Sequence, residues 1–322
     1  METDIKHLTA NDMVSFKSMS SGVMEEMGRV IIGKDQLIYD IFIALLSGGN
    51  ILLEGVPGVA KTTIAKAFAS AVGLDFKRIQ FVPDILPSDI TGASILNQKN
   101  MEFELHKGPV FTNILLVDEI NRASPKIQSS LLEAMEEKQV SIDGITSRLP
   151  DPFMVITTQN PIDVIGTFPL PEAQIDRFMF KLNVDYPTFD EELTMLKTKN
   201  NQTELSVRRV LSKNDVLSMI DTVKSVYVDT KVLEYIRDLI ITSRGNPKLL
   251  LGGSPRASIS LLKASKALAA LNGRSYVTPD DIKYLVPKVL IHRLIVKPEY
   301  EQEDITADDI ILELLETVKV PA

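Results

Sequence analysis

Apolar residues occur in two regimes along the chain. Up to about residue 187 they cluster in short unbroken runs; beyond it they recur at helical spacing. Ile51-Leu52-Leu53, 113–117 and 153–158 are runs of strand length, and 76–80 reads as a further strand. Consecutive apolar positions suit strands covered on both faces, as in a parallel sheet. Helical patterns separate these runs, at 11–30, 35–46, 63–72 and 125–137. In the first, Met13, Phe16, Met19, Val23 and Met27 share roughly one face, a packing stripe. Ser47-Gly48-Gly49-Asn50 closes the second, and Pro125 opens the fourth at its first turn. Alternating strands and helices predict an α/β layered domain built on a parallel sheet.

Two hairpins interrupt this alternation. Segment 83–108 reads as an insertion, with strands at 93–97 and 101–106 around Gln98-Lys99-Asn100. Segments 139–142 and 145–149 flank Asp143-Gly144, a strong two-residue turn signal. After Tyr186-Pro187 strand signals stop. Helices are expected at 189–199, 213–224, 229–243, 254–271, 279–291 and 308–318. Thr278-Pro279-Asp280-Asp281 supplies an N-cap, a proline at the first position and first-turn acids. The expected organisation is an α/β domain over 1–187 and a helical domain over 188–322.

Composition narrows the function classes. The 322 residues include 35 basic and 43 acidic side chains, a net charge of −8, which argues weakly against a general nucleic-acid binder. The absence of cysteine excludes disulfides and thiolate metal sites and is compatible with a reducing, cytoplasmic setting. The polar first ten residues predict no signal peptide, and no apolar run reaches membrane-spanning length. His7, His106 and His292 are too scattered to suggest a metal site.

The strongest chemical signal is Gly55-Val56-Pro57-Gly58-Val59-Ala60-Lys61-Thr62, placed between the strand at 51–53 and a helix beginning near Thr63. Strand, glycine-containing loop, Lys-Thr and helix form the context of a phosphate-binding P-loop. Backbone N–H groups and the helix N-terminus favour an anion at one spot. Lys61 would reach the β- and γ-phosphates, and Thr62 would offer its hydroxyl to Mg²⁺. Ala60 stands where a second glycine is usual; alanine is tolerated there if the residue already lies in the first helical turn.

Four further motifs accompany the loop. Ile114-Leu115-Leu116-Val117 ends in Asp118-Glu119, which sets two carboxylates at the C-terminal edge of a sheet. Asp118 suits the Mg²⁺ shell, and Glu119 suits a base that orients water. Met154-Val155-Ile156-Thr157-Thr158 leads to Gln159-Asn160-Pro161, where Asn160 is either a γ-phosphate-sensing amide or a plain turn residue. In 170–178, Arg177 either pairs with Asp176 or Glu172 on the surface or acts as an arginine finger. Arg256 opens a helix in Gly253-Ser254-Pro255-Arg256-Ala257, where a cation opposes the helix dipole unless it faces a phosphate.

Together these motifs, with Asn121-Arg122-Ala123 and Leu131-Leu132-Glu133-Ala134-Met135-Glu136-Glu137, resemble the MoxR family of AAA+ ATPases over about residues 20–295. The resemblance implies an αβα nucleotide domain followed by an all-α lid. It equates 83–108 with the helix-2 insert and 138–149 with the hairpin before sensor 1. Lys61 and Thr62 then belong to Walker A, Asp118 and Glu119 to Walker B, and Asn160 to sensor 1. Arg177 becomes the finger and Arg256 sensor 2, acting in cis or in trans. Ile32 and Gly33 fall in the element that contacts adenine, and Arg122 could contribute from a neighbour. The resemblance further implies ATP and Mg²⁺ as cofactors, a ring, usually a hexamer, and chaperone-like remodelling of client complexes. Partners with a von Willebrand factor A domain are implied as well, and the two hairpins would face the client.

Competing readings are a nucleic-acid motor, a metal-chelatase motor subunit and a non-enzymatic nucleotide switch. Lys99 and Lys107 stand beside Glu102 and Glu104 in the insert, a thin set for phosphate tracking. A switch leaves Lys61, Asp118, Glu119, Asn160 and Arg177 together without a reason.

Overall fold

A computed structural model describes residues 8–56, 58–97, 99, 101–160, 167–200 and 206–321. Pro57, Gln98, Asn100 and Pro161 therefore lie outside the described residues. The chain begins with α1 (Ala10–Val30) and α2 (Asp35–Ser47), then β1 (Ile51–Glu54), α3 (Lys61–Ala71) and β2 (Phe76–Gln80). The insert supplies α4 (Pro87–Thr91), β3 (Gly92–Asn97) and β4 (Glu102–Lys107). β5 (Ile114–Asp118), α5 (Pro125–Glu137), the hairpin β6 (Gln139–Ile142) and β7 (Ile145–Arg148), and β8 (Met154–Gln159) follow. α6 (Glu172–Ile175) precedes β9 (Phe180–Asn183). The remainder is mostly helical: α7 (Phe189–Asn200), α8 (Lys213–Lys224), α9 (Thr230–Gly245), β10 (Leu249–Leu251), α10 (Pro255–Leu271), α11 (Pro279–Leu290), β11 (Ile295–Val296), α12 (Pro298–Glu301) and α13 (Ala307–Thr317).

The sheet has the order β2-β5-β8-β1-β9, and every pairing in it is parallel. Side chains alternate between its faces, which explains the unbroken apolar runs. Leu53, Leu116 and Ile156 enter one core, with α1–α3 and the C-terminal helices. Leu52, Leu115 and Val155 enter the other, with α5. This is the α/β sandwich with a parallel sheet that the sequence predicts, followed by a helical region.

Both hairpins form. In β6–β7, Asp143 and Gly144 take φ of +50° and +81°, the left-handed pair a tight hairpin turn demands. The packing stripe of α1 buries Met13, Phe16, Val23 and Met27. Two expectations need correction. β9 completes the sheet although the sequence shows no run there, because Phe180 and Leu182 are buried while Lys181 and Asn183 point away. Strands also do not stop at residue 187: β10 and β11 pair antiparallel, too short to leave a periodic signal.

α2 is tied to α11 through a buried acid. Asp40 accepts from Tyr284 Oη at 2.6 Å, and Lys288 Nζ lies 3.5 Å away. Burial raises the Asp40 carboxyl above its ordinary 3.8, and Lys288 and Tyr284 offset this only in part. A raised folded pKa means that Asp40's contribution to stability is full below about pH 3.8 and is lost as pH rises through the folded value. The wild type should therefore lose stability relative to Asp40→Asn between pH 4 and 7, as measured by urea denaturation at stepped pH. A constant difference, or one that moves in the wild type's favour, would contradict the reading.

Candidate active site

The loop after β1 and the start of α3 form the candidate phosphate-binding loop. Gly55 packs so tightly that a Cβ there would come within 2.5 Å of the Val184 carbonyl oxygen, so no larger residue fits. Gly58 has φ +88° and open space around it. Ala60 does not lie in the first turn of α3, so the condition for an unstrained alanine is not met. It caps that helix from the left-handed region, at φ +61° and ψ +20°. Such a conformation costs a non-glycine residue roughly 1–2 kcal/mol, strain of the kind that collects at functional loops. Lys61 folds back onto the loop and donates to the carbonyls of Gly55 and Val56. Burial lowers its ammonium pKa, against the pull of Asp118, Glu119 and Glu54. Val59 is buried in the core and Thr63 is exposed on α3. Gly33 has φ +70° and lies against Glu191 of α7, beside half-buried Ile32.

Register brings the two carboxylates to this loop. Thr62 Oγ1 donates to Asp118 Oδ2 at 3.3 Å across 56 residues. Thr158 Oγ1 donates to Asp118 Oδ1 at 3.1 Å and accepts from Glu119 N at 3.0 Å, so one hydroxyl orients both positions. Arg78 Nε reaches Asp118 Oδ2 at 2.6 Å and passes a second hydrogen bond to Gln80. Gln80 Nε2 donates to Glu119 Oε2 at 2.7 Å, and Arg122 Nε lies 2.8 Å from the same oxygen. Asn160 is buried at the end of β8. Arg78, Gln80 and Thr158 were not identified from the sequence. The available signal was Arg78 and Gln80 at a spacing of two on one face of a strand.

Arg177 and Arg256 lie elsewhere. Arg177 precedes β9, and Met179 N donates to Asn50 O at 2.8 Å, just before β1 begins. That is the N-terminal edge of the sheet, whereas the P-loop leaves the C-terminal edge. About 13 Å of strand separates the two. Arg177 Nη1 is 2.9 Å from Glu136 Oε2 of α5 and also donates to the Leu132 carbonyl at 3.2 Å. Arg256 Nη2 bonds the other oxygen of Glu136. Both arginines line one cavity with Gly49 and Asn50. The alternative pairing of Arg177 with Asp176 or Glu172 is not found among the described residues, because Asp176 is engaged otherwise. Asp176 Oδ1 accepts from Arg293 Nε at 2.7 Å and from Ser254 Oγ at 2.8 Å. Buried Arg293 also donates to the carbonyls of Asp176, Phe178, Met179 and Val289. His292 Nε2 sits 3.1 Å from the Phe178 carbonyl oxygen, and full burial keeps its pKa well below the usual value.

The donor set at the C-terminal edge fits a nucleotide with a divalent cation. Backbone N–H groups of the loop, one lysine and an open glycine would serve an anion, and a hydroxyl and a carboxylate meet beside them. Among the described residues no cluster of three or more imidazole or carboxylate groups could hold a metal alone. Thr62 and Asp118 suit a cation that takes its other ligands from phosphate and water.

Comparison with known proteins agrees with this fold. The ATPase family associated with various cellular activities (AAA) matches residues 50–180, and the AAA lid domain matches residues 241–314. The chain is 50% identical to uncharacterized protein YeaC of Bacillus subtilis, over 92% of this chain and 93% of that one. It is 42% identical to chaperone MoxR1 of Mycobacterium tuberculosis, over 92% and 81% respectively. A solved structure from Cytophaga hutchinsonii with an ATPase designation superposes with a TM-score of 0.91 at 41% identity, covering 96% of this chain and 97% of its own.

The buried Arg293–Asp176 pair makes a direct prediction. Removing one partner of such a pair leaves an uncompensated group, at a cost of about 3 kcal/mol or more. Arg293→Met should lose that much in chemical denaturation, and Asp176→Asn should lose a comparable amount, since it leaves the buried guanidinium without its counter-charge. A loss under about 1 kcal/mol for Arg293→Met would contradict this account.

Proposed function

The chain belongs to the MoxR family of AAA+ ATPases, and from that premise we propose that it hydrolyses ATP at sites completed between subunits of a ring, hexameric by family habit. The observation that carries the reading is the convergence of Arg177 and Arg256 on Glu136 at the sheet edge opposite their own P-loop. A guanidinium pair there can serve a nucleotide only on a neighbouring copy, so sensor 2 acts in trans beside the finger.

Each residue then has one task. The loop 55–62 and the α3 N-terminus hold the phosphates, and Thr63 extends that turn. Lys61 exchanges the carbonyls of Gly55 and Val56 for phosphate oxygens. Thr62 and Asp118 would hold Mg²⁺, which supplies charge neutralisation on the phosphates. Glu119, oriented through Thr158, positions and deprotonates water, and Asn160 contacts the γ-phosphate side. Ile32 and Gly33 border the adenine. Arg177 and Arg256 stabilise charge on the transferring phosphoryl. The α/β domain occupies 1–187 and the lid 188–322. The work done with ATP is remodelling of client complexes, together with a partner bearing a von Willebrand factor A domain in the cytoplasm. Among the described residues no helix is long and apolar enough to cross a membrane.

Complementation separates trans from cis action. Arg177→Ala and Lys61→Ala should each lose about 10³-fold in turnover when alone. Mixed, they should recover activity, because an Arg177→Ala subunit can use the arginine of a Lys61→Ala neighbour. Arg256→Ala should complement in the same way. Co-assembled mixtures that stay inactive would show that the arginines serve their own nucleotide.

A further inference from the structure

One helix and one groove remain outside the chemistry described so far. On α7, Phe189, Leu193 and Leu196 fall at i, i+4 and i+7 and share a face. Phe189 is 85% and Leu196 63% exposed, and Leu193 is also open to solvent. Asp190, Glu191 and Glu192 fill the first turn. A twelve-residue helix is marginal by itself, and an apolar stripe of this kind marks a contact surface. On the lid, α9 and α10 form a groove of about 270 Å³ whose lining includes Leu233, Ile236, Ile241 and Ile259 together with Arg237 and Arg244. Ile241 is 54% and Ile259 52% exposed.

The two features flank opposite halves of the divided site. α7 adjoins the nucleotide half, where Glu191 covers Gly33 so closely that a Cβ there would fall 2.0 Å from it. The groove adjoins the arginine half: Ile259 lines both the groove and the cavity that holds Arg177 and Arg256. Bringing one subunit's arginine cluster to the next subunit's nucleotide therefore carries the groove toward α7. Charge agrees with shape, since Asp190 and Glu192 of the first turn would meet Arg237 and Arg244, while Glu191 stays over Gly33 of its own subunit.

We infer that α7 of one subunit docks, apolar face inward, in the α9–α10 groove of a second copy. The inference rests on the ring reading above and names a contact that holds the ring. Two different patches of one chain meet head to tail, the arrangement that generates a closed ring rather than a two-fold dimer. The bland alternative is an α7 face that stays solvated in the assembly.

The chain has no cysteine, so introduced thiols are the only ones present. Leu193→Cys with Ile241→Cys in one chain, treated with a short bis-maleimide in the presence of ATP, should give a ladder of covalent oligomers up to the ring. Leu193→Cys alone should stay uncrosslinked. Leu196→Asp should raise the protein concentration at half-assembly tenfold or more in sedimentation. A wild-type ring without the ladder, with Leu196→Asp assembling normally, overturns the docking and leaves the ring intact. A wild type that stays monomeric with ATP at every concentration overturns the ring reading, and the docking falls with it.

Discussion

The structure depends on one buried ion pair. Arg293, at the end of α11, spends its guanidinium on the Asp176 carboxylate and on backbone carbonyls flanking the entrance to β9. Ser254 binds the same carboxylate from the start of α10. The edge of the sheet beside β9 is thereby fixed to the helical region, in addition to their shared apolar core. A guanidinium suits this task because its donors are rigid and always charged. Left without Asp176 it would be a buried charge with carbonyls alone for partners. The pair defines a geometry more than it adds stability.

That geometry sets where the two candidate arginines lie. Arg177 follows Asp176 directly, and Arg256 follows Ser254 by two residues, so the knot fixes the spacing of two guanidiniums. Glu136 then receives both. The opposite edge of the sheet holds the complement: a strained loop, a lysine turned onto carbonyls, and two carboxylates braced by Arg78, Gln80, Thr158 and Arg122. On the proposed reading, one subunit carries both halves of a site on opposite edges, and neither half reaches the other within the chain.

Much of the architecture was legible because its signals are local. The P-loop is eight consecutive residues, and strands buried on both faces are written as unbroken apolar runs. β9 was missed because it alternates at the margin of the sheet, with Lys181 and Asn183 diluting Phe180 and Leu182. The left-handed conformation of Ala60 was not legible, because chain order does not reveal the sign of φ. The bracing of the site was illegible for a different reason. Arg78 and Thr158 reach Asp118 across 40 residues each, Arg256 reaches Glu136 across 120, and Arg293 reaches Asp176 across 117. Such partners are set by strand register and lid placement, which no local pattern records.

The central claim is that a single subunit does not contain a complete hydrolytic site. Specific ATPase activity measured against protein concentration, with Mg²⁺ and saturating ATP, tests it most directly. Activity per subunit should rise with concentration and level off where assembly is complete. Activity that stays flat down to concentrations at which the protein sediments as a monomer would contradict the account, because hydrolysis would then be self-contained.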